Sequence, residues 1–127
     1  QEAGFPQQSS PRGVVLRDLN QDGVLDLLAG DTYRSPYLFL SNGCTDQHWL
    51  EVVAPIGSQV TAETATGNVT SWVQAESSFA SAGSAIAHLG LGSESNVLSL
   101  TVQPWWQEPQ VLQGPFEADR RITLENR

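Results

Sequence analysis

The chain has few basic residues and no long apolar run. Its 127 residues include 6 basic and 14 acidic ones, so the chain has a formal net charge of -8. A nucleic-acid partner needs a basic surface that contacts phosphates, so this composition argues against that class of function. No stretch approaches the ~20 apolar residues of a membrane-spanning helix, and insertion into a membrane is therefore not expected.

Cysteine is also scarce. Cys44 is the only one, so no disulfide can form within the chain. An unpaired cysteine in a secreted protein is either buried and inert or joined to another chain. Because Cys44 closely follows an apolar run, we expect burial.

Sustained helical periodicity is missing as well. Short runs rich in β-branched and aromatic residues alternate with turn residues, which predicts an all-β protein. Thr66-Gly67-Asn68 is expected to close a hairpin, and residues 77–85 are small and polar enough for a loop or an edge. The expected strands after residue 47 are Trp49–Val53, Gln59–Ala65, Val69–Ala75, Val97–Val102, Gln110–Leu112 and Ile122–Leu124.

The most informative segment is an acidic loop with the pattern D-x-N-x-D-G-x-x-D, which begins at Asp18. Ca²⁺ takes about 6–8 oxygen ligands, and alternating side chains of a curled loop can point inward together. Gly23 would supply the sharp turn. The expected ligands are side-chain oxygens and one backbone carbonyl, those of Asp18, Asn20, Asp22, Val24 (its carbonyl) and Asp26.

The alternative is a turn whose carboxylates only face water. Three carboxylates within nine residues repel one another unless a cation neutralises them, which favours the metal site. The loop is not an EF-hand, because its twelfth position is Ala29 rather than a bidentate glutamate.

Short apolar runs flank this loop at Val14–Leu16 and Leu25–Gly30, and a third follows at Tyr37–Leu40. The stretch from Val14 to Gly43 resembles an FG-GAP/VCBS repeat, the calcium-loop β-hairpin unit of integrin-like propellers. The resemblance implies that Ca²⁺ is the metal and that the hairpin is similar to one propeller blade.

The remainder resembles the ASPIC/UnbV domain of cartilage-acidic-protein-like extracellular proteins. The similar segments are His48–Val52, His88–Gly92 and Ala118–Glu125, in the family's order. The resemblance implies an antiparallel β-sandwich and transfers no defined activity. The expected organisation is an extended arm (1–12), a calcium-binding repeat (13–46) and an ASPIC/UnbV-like domain (47–127).

An enzyme is not expected. His48 and His88 have no adjacent cysteine or serine in a recognisable nucleophile setting, and we expect both to be structural. Glu51, Glu63 and Glu76 could in principle supply a glycosidase pair. Their alternation with apolar neighbours favours solvated strand faces instead.

Two surface features remain. Asn68-Val69-Thr70 is a candidate N-glycosylation site in an expected turn. Trp105 and Trp106 lie between Pro104 and Pro109, where one ring can enter the core while the other contacts a partner or a glycan. Alternatively, both rings cover the end of the sandwich.

These features together predict a secreted calcium-binding structural module. Repeat proteins usually need about three units for a continuous core, and this chain has one. It is either a fragment, or its hairpin packs on the sandwich, or neighbours come from other copies through exposed strand edges. We expect self-assembly into an extracellular structure or filament. The alternative is a glycan- or protein-binding adhesion domain from a longer propeller protein.

Overall fold

The computed structural model describes residues 10–42, 46–75 and 84–124, and every regular element in them is a β-strand. The prediction of an all-β protein is confirmed. The chain divides into two compact units, one holding the first three strands and the other the remaining seven. None of the described segments forms a helix that could cross a membrane. Residues 1–9 of the expected arm, Cys44, Glu76 and residues 77–83 lie outside the described residues.

The first unit is a three-stranded antiparallel sheet, formed by β1 (Pro11–Arg17), β2 (Asp26–Asp31) and β3 (Tyr37–Phe39) in that order. Each strand coincides with one of the short apolar runs. β1 begins earlier than its apolar residues indicate, so Pro11 and Arg12 belong to the strand and not to an arm. The Ser10 N–H donates to Asp31 Oδ2 at 2.8 Å, which fixes the start of β1 against the end of β2.

The second unit consists of two sheets. The first has the order β10-β4-β7 and the second the order β6-β5-β8-β9. Tight turns explain several connections, as where the Thr64 N–H donates to the Gly67 carbonyl at 2.8 Å in the expected hairpin. The strands are β4 (His48–Val53), β5 (Ser58–Glu63), β6 (Asn68–Trp72), β7 (Ile86–Gly92), β8 (Asn96–Pro104), β9 (Gln110–Glu117) and β10 (Arg120–Thr123).

A single apolar core is built from alternate positions of these two sheets. Leu50 and Leu89 come from the β10-β4-β7 sheet, and Val60 and Leu100 come from the β6-β5-β8-β9 sheet. All four side chains are at most 1% exposed. Side chains at every second strand position face one side of a sheet, so each sheet contributes one face to this core. The second unit is therefore a β-sandwich, as expected.

The structure contains one strand and one pairing that the sequence did not indicate. β7 includes Gly90 and Gly92, which weaken a strand signal because they offer no side chain to pack. Its alternating Ala87, Leu89 and Leu91 are nevertheless buried. β10 runs parallel to β4, with Arg121 opposite Glu51, so the three-stranded sheet is mixed rather than purely antiparallel.

An irregularity in β8 decides which of its leucines are buried. The pairing of β8 with β9 shifts between Val97 and Ser99, which places Val97 in the core and leaves Leu98 47% exposed. Gly114 lies against this shift: a Cβ there would be 2.6 Å from the Val97 carbonyl oxygen and 2.8 Å from that of Leu98. Only a glycine allows the two backbones to approach so closely.

Candidate functional site

The acidic loop connects β1 to β2 and is tightly curled. Gln21 and Gly23 both adopt the left-handed backbone region, with φ of 63° and 88°. Gly23 has no Cβ to oppose this conformation, as the motif predicts. The curl turns the loop's backbone N–H groups inward, towards its own carboxylates.

Asp18 is the centre of the loop. Its side chain is 3% exposed, and its two oxygens accept from the N–H groups of Asp22 (Oδ1, 3.0 Å) and Gly23 (Oδ2, 2.9 Å). Each oxygen retains acceptor capacity beyond this one bond, because a carboxylate offers about four lone-pair sites. Asp18 is thus a buried carboxyl side chain held in place by backbone amides.

Asn20 and Asp22 are exposed and face each other across the outer part of the loop. Asn20 Nδ2 donates to Asp22 Oδ2 at 2.8 Å, and the Val24 N–H donates to Asp22 Oδ1 at 2.9 Å. Asn20 Oδ1 accepts from the Asp22 N–H at 3.1 Å. These short-range bonds hold the two side chains beside each other within the loop.

Asp26 closes the loop from the first residue of β2. It is fully buried, and its oxygens accept from the N–H groups of Ser41 (2.9 Å) and Leu19 (3.0 Å). The Ser41 N–H first, and the Leu19 N–H next, hold the pKa of Asp26 below its usual value against the opposing effect of burial. Asp26 is therefore ionised at neutral pH, the state that a cation requires.

The chemistry of this donor set fits calcium, since it supplies only oxygen atoms and two buried carboxylates. The carboxylates do not converge on one point: among the described residues, no group of three or more His, Cys, Asp or Glu side chains is placed to hold a metal. Asp18, Asp22 and Asp26 each turn towards backbone amides instead. The motif's residues are thus brought into one loop, with their oxygens engaged by N–H groups.

A second charged cluster lies on the β10-β4-β7 sheet, on the face turned away from the sandwich core. Glu51 is 2% exposed, and Arg121 donates to its Oε2 through Nε at 2.7 Å and through Nη2 at 2.6 Å. His88 Nδ1 lies 3.6 Å from Glu51 Oε1, and the His88 ring stacks on Trp49 with centroids 6.1 Å apart. The expectation of a solvated Glu51 is wrong, because Arg121 on β10 pairs with it and His88 on β7 lies beside it.

His48 is also paired within the fold. Its Nδ1 lies 2.7 Å from Asp119 Oδ2, and the Trp49 N–H donates to Asp119 Oδ1 at 3.2 Å. Asp119 has a φ of 59° and its own N–H donates to the Trp49 carbonyl, so it fixes the turn between β9 and β10 to the start of β4. The structural role of His48 and His88 stays a prediction. Local spacing could not reveal these contacts, since Asp119 and Arg121 lie about 70 residues after His48 and Glu51 in sequence.

The remaining candidates all lie at the surface. Asn68 is exposed and is the first residue of β6 rather than part of the turn. Trp105 and Trp106 are 79% and 46% exposed, with ring centroids 5.3 Å apart in an edge-to-face arrangement. Of the two alternatives for these rings, the one in which a ring enters the core is wrong, because the Gln107 N–H donates to the Pro104 carbonyl and turns the chain away from extended alternation.

Comparison with known proteins gives one match. A family model described as ASPIC and UnbV matches residues 53–127. The matched segment contains His88–Gly92 and Ala118–Glu125, and it begins just after the His48–Val52 segment. No curated protein and no solved structure matches the chain.

Proposed function

We infer the function from the premise that the chain belongs to the ASPIC and UnbV family, whose pattern occupies residues 53–127. The proposed function is that of a non-catalytic, calcium-binding structural module located outside the cell, which assembles with copies of itself. Residues 13–46 would be a calcium-loop repeat of the FG-GAP/VCBS type. The single observation that carries this proposal is the acidic loop between β1 and β2.

Calcium binding at this loop is supported by burial and by pre-ordering. Asp18 and Asp26 are at most 3% exposed on either side of a glycine turn, and backbone N–H groups hold both side chains in place. Buried carboxylates are normally paired or bound to metal ions, because transfer of an unpaired charge from water is costly. Ca²⁺ would neutralise this cluster through Asp18, Asn20, Asp22, Asp26 and the Val24 carbonyl.

The first prediction is that Asp22→Ala removes calcium stabilisation without unfolding the protein. A ligand that binds only the folded state stabilises it by about 2.7 kcal/mol at one hundred times its dissociation constant. The wild type should therefore melt at a higher temperature in calcium than in chelator, and the variant should melt at nearly the same temperature in both. Asp22 is exposed, so its loss alone costs little.

Asp46→Ala is the matched control, since Asp46 is an exposed carboxylate outside the loop. It should keep the full response to calcium. Isothermal titration calorimetry should show heat of calcium binding for the wild type and the control only. If Asp22→Ala lowers the melting temperature equally in calcium and in chelator, the metal role is refuted.

Self-assembly is supported by the small first sheet. Among the described residues, β1 and β3 are the outer strands of this sheet, and an outer strand offers backbone groups to which another strand can add. Apolar side chains on the edges are exposed, with Leu16 at 59% and Leu38 at 53%. A three-stranded sheet with exposed apolar residues gains stability when a neighbouring subunit covers it. We expect β1 to be the strand that adds to a neighbour.

The second prediction is that Leu16→Lys prevents assembly and leaves calcium binding intact. A charge on an edge strand disfavours pairing with a second chain. Sedimentation velocity and electron microscopy in calcium should show oligomers or filaments for the wild type and monomers for this variant. Leu38→Lys, on the opposite edge, should still assemble. A wild type that is monomeric at high concentration in calcium would contradict the proposal.

A second candidate function is adhesion, in which the second unit binds glycans or extracellular proteins. The observation that favours it is the exposure of Trp72, Trp105 and Trp106 on one β-sandwich. Exposed tryptophan side chains can anchor a partner, because each presents a large apolar surface together with a hydrogen-bonding N–H group. This function does not depend on calcium or on assembly.

A further inference from the structure

The outward face of the four-stranded sheet carries an ordered set of polar side chains. Strand register places residues from neighbouring strands side by side in three rows across this face. Neighbours within a row are separated by about one strand spacing, ~4.8 Å. The rows are Trp72–Gln59–Gln103, then Thr70–Thr61–Thr101–Val111, then Asn68–Glu63–Ser99–Gln113.

The face is almost uncharged in a strongly acidic protein. Within these three rows Glu63 is the only ionisable side chain, and Ser99 Oγ donates to its Oε2 at 2.7 Å. The other polar groups are hydroxyls and carboxamides, and Thr61 Oγ1 lies 3.0 Å from Thr70 Oγ1. In a chain of net charge -8, these three rows therefore hold a single ionisable side chain.

Tryptophans lie at one end of the face. Trp72 ends β6 and is 55% exposed in the first row, while Trp105 and Trp106 directly follow β8. The same end carries Gly57, whose N–H donates to the Val73 carbonyl next to Trp72. Rings and hydrogen-bonding groups are thus adjacent at this end of the sheet.

Trp105 is held in position although most of its surface is exposed. A Cβ on Gly57 would lie 2.8 Å from Trp105 Cδ1, so the ring packs closely on glycine backbone. It also makes an edge-to-face contact with Trp106. Gln103 Nε2 donates to the carbonyls of Pro104 and Gln107, which fixes the turn that carries both rings. A ring fixed in this way loses little conformational freedom when it contacts a ligand.

The composition of the face identifies the class of ligand. A protein partner would desolvate the row hydroxyls and amides against apolar groups, which is costly for each one left unpaired. An anionic ligand meets no basic side chain in these rows. A neutral sugar offers hydroxyls to the threonines and glutamines and an apolar ring face to the tryptophans.

We propose that this face, from Trp105 and Trp72 across Gln59, Gln103 and the threonine row, binds a neutral polysaccharide. The inference rests on the adhesion function and names its ligand class and its surface. Trp72 and Trp105 stack on sugar rings, and Gln59 and Thr61 exchange hydrogen bonds with sugar hydroxyls. The calcium loop takes no part.

The test is affinity electrophoresis of the full chain in gels that contain laminarin, galactomannan, xyloglucan or dextran, one at a time. At least one of these neutral polysaccharides should retard the wild type, and polygalacturonate should not, because the protein is itself anionic. Trp72→Ala and Trp105→Ala should each raise the dissociation constant obtained from the retardation by about tenfold or more. Trp72→Phe should bind more tightly than Trp72→Ala, because it keeps an aromatic ring.

Tyr33→Ala is the matched control, since Tyr33 is an aromatic residue that is 84% exposed in the other unit. It should be retarded as the wild type is. If none of the neutral polysaccharides retards the wild type, the inference and glycan adhesion are both wrong. If the wild type and the tryptophan variants are retarded equally, the polysaccharide binds elsewhere. The assignment to this face is then wrong, while glycan adhesion stands. Loss of self-association in Trp72→Ala without any sugar binding would instead make the face a protein contact and overturn the inference.

Discussion

Arg121→Ala is expected to cause one of the largest losses of stability in this protein. The substitution leaves the Glu51 carboxylate, 2% exposed, without the guanidinium that donates to it at 2.6 and 2.7 Å. Removing one partner of a buried ion pair costs about 3–5 kcal/mol, because the other charge stays buried and unpaired. The Arg121 side chain is itself 38% exposed, so we expect the lower part of that range. Denaturant unfolding of the purified variant measures the effect.

Arg120→Ala is the matched control for this prediction. Arg120 is the neighbouring arginine on β10 and is exposed, so its loss should change the free energy of unfolding by less than about 0.5 kcal/mol. The double variant Glu51→Leu/Arg121→Met should be more stable than Arg121→Ala, because an apolar pair avoids the uncompensated charge. Equal stability of Arg120→Ala and Arg121→Ala would show that the pair does not stabilise the sandwich.

Leu100→Ala is the second substitution with a large expected effect. Leu100 is fully buried at the centre of β8, in the core between the two sheets of the second unit. Truncation of a buried leucine to alanine costs about 2–5 kcal/mol, from lost transfer energy and from the cavity left behind. Thermal and denaturant unfolding should both report this loss without a change of secondary structure.

Leu98→Ala, two residues earlier in the same strand, is its control. Simple alternation places Leu98 on the same face as Leu100, yet the register shift leaves Leu98 47% exposed. We expect Leu98→Ala to cost less than about 1 kcal/mol, since little apolar surface leaves water there on folding. A large loss for Leu98→Ala and a small one for Leu100→Ala would mean that β8 pairs in a different register.

The sequence predicted the fold class and most strands because those features depend on local patterns. Short β-branched runs between turn residues marked β4, β5 and β6, and the apolar runs around the acidic loop marked the first sheet. The strand that was missed, β7, has its pattern interrupted by Gly90 and Gly92. The acidic loop was also recognisable, because all of its oxygen donors lie within nine residues.

Distant contacts were beyond prediction from the sequence. Glu51 was assigned to a solvated face, since nothing near it in sequence shows that Arg121 and His88 flank it from β10 and β7. The polar rows beside Trp72 are likewise products of strand register. The sequence also left two alternatives for Trp105 and Trp106, and the turn that follows Pro104 excludes the one in which a ring enters the core.

By itself, the sequence determined that the chain is acidic and all-β and that it carries an oxygen-rich loop, because composition, alternation and motif spacing are properties of neighbouring residues. Only the tertiary structure decided which side chains meet. It placed a glutamate beside an arginine about 70 residues later, exposed Leu98 while burying Leu100, and aligned tryptophan with glutamine and threonine on one sheet. These outcomes depend on strand order and register, which are set by the packing of the whole sandwich and not by any local segment.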